Sequence, residues 1–296
     1  MILATILVAA VASLTAPNQA RIAEIATKLP SAPQWAEDGI DAAANVKRAD
    51  ALLKEAVPDC ADKLYLMFTQ NGNRTEYEKP YFLRGKNLEC LAATESKEGK
   101  GKYLEKVVEY LNAICSERCW TMPAHDTKLI NFNGTGITID LGAAHRSHTL
   151  ARVLVLLKGR LPADVEDKVR AELDRRIFAI YRKTAKDSAD PKQLNGNWWF
   201  FCRSNWNAVC HSAVVRAALA VIPDAKVRAE FVEGAERGMK FFLESFLEDG
   251  YCTEGGGYWN YGYGNFLDLV LAVKRATGGF VDYSRLPRAK EAMEYG

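Results

Sequence analysis

The fold is decided by two neighbouring stretches, "NAVCHSAVVRAALAVI" at residues 207 to 222 and "AKVRAEFVEGAERGMKFFLESFL" at residues 225 to 247. In each, apolar residues recur at i, i+3, i+4 and i+7, which is the period of a helix with a buried face. Pro223 separates the two stretches, and proline interrupts helices. We therefore predict two helices joined by a short turn.

The same period recurs in five other stretches, at residues 44–57, 101–117, 142–161, 163–185 and 264–276. Further helix breaks are expected at Pro58, Pro80, Pro162 and Pro191. The best strand candidate is the short "GITIDL" at residues 136–141. We predict a mostly α protein whose helical hairpins form an array or ring, without a sequence repeat of fixed period.

Composition limits the classes of partner. The chain has 296 residues, of which 48% are hydrophobic, and a net charge of +2, which is too balanced to indicate nucleic-acid binding.

The chain begins with a short apolar segment, "MILATILVAAVASLTA" at residues 1–16. This segment is too short to span a membrane but fits a secretory signal cut after Ala16 or Ala20. We predict a signal at 1–20, one domain at 21–296 and a periplasmic or secreted protein; the alternative is a buried first helix.

The seven cysteines leave at least one thiol unpaired within the chain. Cys115 and Cys119 are four residues apart and would share a helix face, but no two further ligands at matching spacing complete a zinc site. We therefore expect no metal, and buried thiols with at most one disulfide.

Three segments between the predicted helices are richer in aromatic and polar residues than connectors need to be. They are "CWTMPAHDTKLINFNGTG" at 119–136, "LNGNWWFFCRSNWNAVCH" at 194–211 and "DGYCTEGGGYWNYGYGNF" at 249–266. Tryptophan and tyrosine stack on sugar rings, while Asn, His and Arg bond hydroxyls and carboxylates. These loops indicate a polysaccharide cleft; the alternative is that the aromatics are core and Asn205 is a helix N-cap.

Together the segments resemble the helical domain of heparinase II/III-like polysaccharide lyases. The resemblance lies in "RSNWNAVCHSAVVRAALAVIPD", "FLEDGYCTEGGGYWNYGYGNF" and "WTMPAHD…NF…IDLGAA", and covers roughly residues 80–275. It implies an all-α fold, an incomplete α/α toroid, and cleavage of an acidic polysaccharide such as heparan sulfate, heparin or alginate by β-elimination, without a cofactor. The family's C-terminal β-sheet domain has no counterpart here, which implies a fragment of a longer lyase or a stand-alone toroid.

The resemblance also implies roles for single residues. Elimination needs a donor that neutralises the uronate carboxylate, and a group that removes the C5 proton and protonates the leaving oxygen. Asn205 matches the neutralising asparagine, and Tyr258 matches the catalytic tyrosine, with Tyr261 its nearest competitor. His211, one helical turn after Asn207, could reach the cleft, or could be a structural histidine.

A second set is expected to bind substrate. Glu254 orients a base, binds a sugar hydroxyl or braces the loop. The whole set is Trp120, His125, Asp126, Trp199, Arg203, Trp206, Asn207, Glu254, Trp259 and Tyr263.

Two other functions stay open. A hydrolase of uronic-acid oligosaccharides needs two carboxylates across a cleft; Asp249 and Glu254 share one loop, and Asp126 is the only other candidate in these segments. A non-catalytic protein that binds acidic glycans would need only the aromatic and polar surface.

Overall fold

The computed structural model describes residues 16–34, 44–187, 194 and 196–295. These residues form helices and loops, and their only β pairing is an isolated bridge between Phe246 and Cys252. The all-α prediction is confirmed. No helix in this part of the chain has both the length and the apolar character needed to cross a bilayer. Most of the predicted signal, residues 1–15, lies outside the described residues.

The α-helices follow the chain in this order: α1 (Gln19–Ala26), α2 (Val46–Leu52), α3 (Asp62–Asn71), α4 (Thr75–Glu98), α5 (Leu104–Cys115), α6 (Leu141–Leu156), α7 (Ala163–Leu173), α8 (Ala179–Asp187), α9 (Asn205–Val221), α10 (Ala225–Leu243), α11 (Gly256–Tyr258), α12 (Gly264–Ala276) and α13 (Ala289–Tyr295). Short 3₁₀ turns occupy Pro123–His125, Trp198–Phe201 and Tyr283–Arg285, and π-helical turns occupy Asp174–Phe178 and Trp259–Tyr263.

The chain divides into two compact units. The first combines Met1–Glu37 with Phe178–Gly296, and the second is Asp38–Ile177. The sequence analysis assigned residues 21–296 to one domain, whereas two of the three aromatic-rich segments belong to the first unit and the segment at 119–136 belongs to the second.

In the second unit, α4 packs against α5 and α6. Pro80, predicted as a break, lies inside α4. Tyr77 and Tyr81 flank it and are buried in an aromatic cluster with Tyr65. We infer that this packing outweighs the hydrogen bond that proline cannot donate.

The strand expected at "GITIDL" is also wrong. The segment leads into α6, where the Asp140 carboxylate accepts a hydrogen bond from the Ala143 N–H and caps the helix (2.7 Å).

The first unit is built around α9, which packs against α10 and α12. The sequence predicted a helix with one buried face, but almost every residue of α9 is buried. Trp206 and Arg216 are the exceptions, and the Arg216 guanidinium pairs with Asp268 on α12 (3.1 Å). Helix α1 packs against α10. There Arg21 forms a two-pronged ion pair with Glu236 (3.0 Å for each bond).

Candidate functional site

Two of the three segments meet at the N-terminus of α9. The Glu254 carboxylate accepts hydrogen bonds from the backbone N–H of Asn205 (2.6 Å) and from its side-chain Nδ2 (3.0 Å). Asn205 is the first residue of α9 and not its N-cap, a position taken by Ser204. A carboxylate is favoured here because the first N–H groups of a helix lack intrahelical partners and carry partial positive charge.

Glycines allow the segment at 249–266 to pack closely. Gly262 lies in the π-helical turn, where an added Cβ would stand 3.2 Å from the Asn205 Cβ and from the Phe242 ring. Gly250 has φ +85°, and a Cβ there would overlap the carbonyl of Glu291. This segment is therefore closely packed, and its π-helical turn packs against Asn205.

The tyrosines of this segment divide into exposed and buried ones. Tyr258 is 53% exposed and Tyr261 is 38% exposed. Tyr263 is buried, its hydroxyl donates to the Ala289 carbonyl (2.6 Å), and burial raises its pKa to about 12. Trp259 is half-buried, stacks on Tyr263 (ring centroids 5.3 Å apart) and donates to the Ala292 carbonyl (2.8 Å). Tyr258 and Tyr261 are thus the tyrosines of the predicted set that a substrate can reach; Tyr251, outside that set, is 40% exposed as well.

The neighbouring segment, 194–211, also presents aromatic surface. The rings of Trp198 and Trp206 lie 5.1 Å apart, and Trp198 is half exposed. Arg203 is exposed and forms an ion pair with Glu244, the residue that directly follows α10 (2.6 Å). Of the two predicted binding residues here, Arg203 is exposed and Trp206 is half-buried.

Asn205 is itself only 4% exposed, and three other predicted site residues of the same segment lie in the interior. The ring of His211 is completely buried; Nε2 donates to the Phe200 carbonyl (3.1 Å), so Nδ1 accepts from the Tyr181 hydroxyl (2.7 Å). Burial lowers the pKa of His211 to about 3, so the ring is neutral at physiological pH. Trp199 packs against this ring, and the Asn207 Nδ2 donates to the carbonyls of Phe200 and Gly238. We assign all three to the core and not to a cleft.

The segment at 119–136 belongs to the second unit, and most of its polar side chains brace it. The buried Asp126 carboxylate accepts hydrogen bonds from the Tyr65 hydroxyl and from the backbone N–H groups of Asn131 and Phe132. Trp120 is buried and donates to the Ile114 carbonyl (3.1 Å). These contacts explain Asp126 and Trp120 as structural residues and leave neither exposed to a glycan.

His125 is different because it is half-buried. Its Nδ1 lies 2.6 Å from the Asp140 carboxylate, which also accepts the Met122 N–H and caps α6. An aspartate in this position orients the ring, but no described residue of the catalytic set lies in the same unit.

The sequence analysis missed two cations beside Arg203. Lys240 on α10 and Arg288 before α13 line a cavity of about 620 Å³ together with Arg203. From the apolar periodicity of α10, Lys240 is predicted only as a solvent-exposed helix residue. No local sequence pattern links it to Arg288. Among the described residues, no group of three or more His, Cys, Asp or Glu side chains could bind a metal.

Comparison with family models and with curated proteins returned no match for this chain. The likeness to heparinase II/III-like lyases therefore rests on the motifs quoted above.

Proposed function

We propose that the protein is a lyase that cleaves a uronate-containing polysaccharide by β-elimination beside the buried Asn205, with Tyr258 and Tyr261 as the exposed groups of the site. The observation that carries the proposal is the contact between Glu254 and Asn205. It joins two of the three segments on which the resemblance depends, through residues that stand 49 positions apart in the chain.

Asn205 supplies the donor for the substrate. Its Nδ2 carries two hydrogens, and one of them is bound by Glu254 (3.0 Å). This bond fixes the amide so that the second hydrogen, which no described residue accepts, can point at a uronate carboxylate. The partial positive charge at the start of the 17-residue helix α9 already binds the Glu254 carboxylate, so the second amide hydrogen is the donor left for the enediolate that forms when C5 loses its proton.

An exposed tyrosine moves the proton. In the proposed reaction a tyrosinate takes the C5 proton, the bond from C4 to the glycosidic oxygen breaks, and the phenol then gives the proton to that oxygen. Tyr258 fits best, since it is the more exposed of the two and directly follows the glycines after Glu254. Tyr261 is the second candidate, whereas the buried hydroxyl of Tyr263 is bound to a carbonyl.

The test is product formation by single-residue variants. Heparan sulfate, hyaluronan, chondroitin sulfate and alginate are incubated with the protein, and the ultraviolet absorbance of the unsaturated uronate is followed. Tyr258→Phe should lower kcat about 10²- to 10⁴-fold, the usual contribution of a general acid or base. Tyr251→Phe is the matched control, because Tyr251 is an exposed tyrosine of the same segment.

The other outcomes separate the remaining functions. Loss of activity in Tyr261→Phe and not in Tyr258→Phe would reassign the tyrosine. New reducing ends without the absorbance would indicate a hydrolase. Binding of these glycans with neither signal would indicate a non-catalytic binding protein.

A further inference from the structure

A cavity of about 620 Å³ opens in the first unit, beside the proposed site, and falls within the volume range of ligand pockets. Its lining residues are Arg203, Lys240, Phe241, Glu244, Pro287 and Arg288. Three of these six side chains are cationic and one is anionic.

The single carboxylate neutralises only one cation. Glu244 pairs with Arg203 through both Nε (2.8 Å) and Nη2 (2.6 Å). Lys240 is exposed, and its ammonium has no hydrogen bond or ion pair with any described residue. Arg288 uses Nη1 on the neutral carbonyls of Phe246 (2.6 Å) and Glu244 (3.4 Å). Two positive charges at the cavity are therefore without a counter-charge from the described residues.

The backbone of Arg288 is held in an unfavourable conformation. Its φ is +68°, in the left-handed region that is unfavourable for a residue with a Cβ. The carbonyls of Glu244 and Phe246, which follow α10, accept hydrogen bonds from the Arg288 guanidinium and hold it at the cavity. Residues held in this way cluster at ligand-binding sites, so the outlier motivates a binding hypothesis.

The free donors fit one shape of anion better than another. Planar guanidinium forks recognise carboxylates in a two-pronged manner, but the fork of Arg203 is occupied by Glu244. What remains is the compact ammonium of Lys240 together with Nε and Nη2 of Arg288, whose Nη1 is used on the two carbonyls. Two donors that approach from different residues match the divergent oxygens of a tetrahedral oxyanion.

We propose that this cavity is a binding site for a tetrahedral oxyanion, either the sulfate ester of a sugar or a free phosphate. Arg203 lies two residues before Asn205, so their Cα atoms are at most about 7 Å apart. Phe241, whose ring packs on Phe201 at 5.0 Å, offers an apolar wall for the body that carries the anion. The site stands independently of the elimination chemistry.

The test is an NMR titration of the full chain with three probes: glucosamine 6-sulfate, glucuronate and inorganic phosphate. Wild-type protein should bind at least one tetrahedral oxyanion more tightly than glucuronate. Lys240→Gln should weaken that binding about tenfold, the loss expected for one charge-assisted hydrogen bond. Lys240→Arg should restore most of it.

The control is Lys226→Gln, which removes the same charge from an exposed lysine near the start of α10. It lies 14 residues from Lys240, or about 21 Å along the helix. Arg288→Gly is a second variant, because glycine tolerates the positive φ; it too should weaken binding. The proposal fails if neither sulfate ester nor phosphate binds, if glucuronate binds equally well, or if Lys240→Gln binds like Lys226→Gln. Preference for the ester or for phosphate identifies the source of the anion.

Discussion

At the scale of single residues, the packing of His211 against Gly238 decides how closely α9 and α10 approach. A Cβ on Gly238 would stand 2.8 Å from two ring carbons of His211 and would overlap Nε2. Gly238→Ala should therefore destabilise the protein by about 1–3 kcal/mol, the usual cost of overpacking, although alanine is the better helix former. Urea unfolding measures the change in the free energy of unfolding.

Gly264→Ala is the matched control, because Gly264 is also helical and nothing lies within 4 Å of its added Cβ. There the substitution should be neutral or stabilising by about 0.5–1 kcal/mol. Equal effects of the two substitutions would contradict the packing of the His211 ring on Gly238.

The same histidine makes stability depend on pH. Burial lowers the pKa of His211 from 6.5 to about 3, so below pH 6.5 the unfolded chain binds a proton that the folded protein does not. The free energy of unfolding should therefore fall as the pH drops from 6.5 towards 3, by up to about 1.4 kcal/mol per pH unit. His211→Gln should flatten this slope in urea unfolding between about pH 7 and pH 5. An unchanged slope would show that the ring is accessible to protons.

At the scale of helices, α1 depends on Asn18, which lies inside the signal predicted at 1–20. The Asn18 side chain caps α1 by accepting the Arg21 N–H (3.0 Å), and its own N–H donates to the Glu233 carboxylate (2.9 Å). A cut after Ala16 would keep this cap, and a cut after Ala20 would remove it. The contact favours the earlier of the two predicted cleavage positions.

Two shortened chains test this contact. A chain that starts at Arg21 should be less stable than one that starts at Pro17 by about 1–3 kcal/mol, because it loses the cap and the bond to the buried Glu233. Thermal unfolding should show a lower Tm for the shorter chain. Asn18→Ala in the longer chain removes the cap alone and should cost about 1 kcal/mol. Equal Tm values for the two chains would mean that α1 adds little to the first unit.

At the scale of the whole molecule, the sequence predicted the helices better than the roles of the residues between them. Period alone located α9 and α10, because each is long and regular. It did not reveal that α9 is buried nearly all round, or that Pro80 lies within a helix, since both depend on packing partners distant in the chain.

The candidate site shows the same limit. Asn205 and Glu254 were identified from motifs, but their hydrogen bond joins residues 49 positions apart and no local pattern predicts it. The sequence left His211 open between a cleft role and a structural one, and its partner Tyr181, 30 positions away, holds it in the core. A polar residue in an aromatic-rich segment can serve a cleft or a buried network, and only the partners distinguish the two.

The cysteines give a prediction for the chain as a whole. None of the seven forms a disulfide; five of the thiols are buried and two are half-buried. Burial raises the pKa of Cys60 to about 12 and also raises that of Cys202, the two half-buried thiols, so few thiolates are available to react in the folded protein. A thiol reagent should therefore modify the native protein slowly.

In denaturant without reductant, the same reagent should titrate all seven thiols, the same number as in a sample reduced beforehand. A count of five would reveal a disulfide and contradict this arrangement, because pairing would require two of these separately packed side chains to move together.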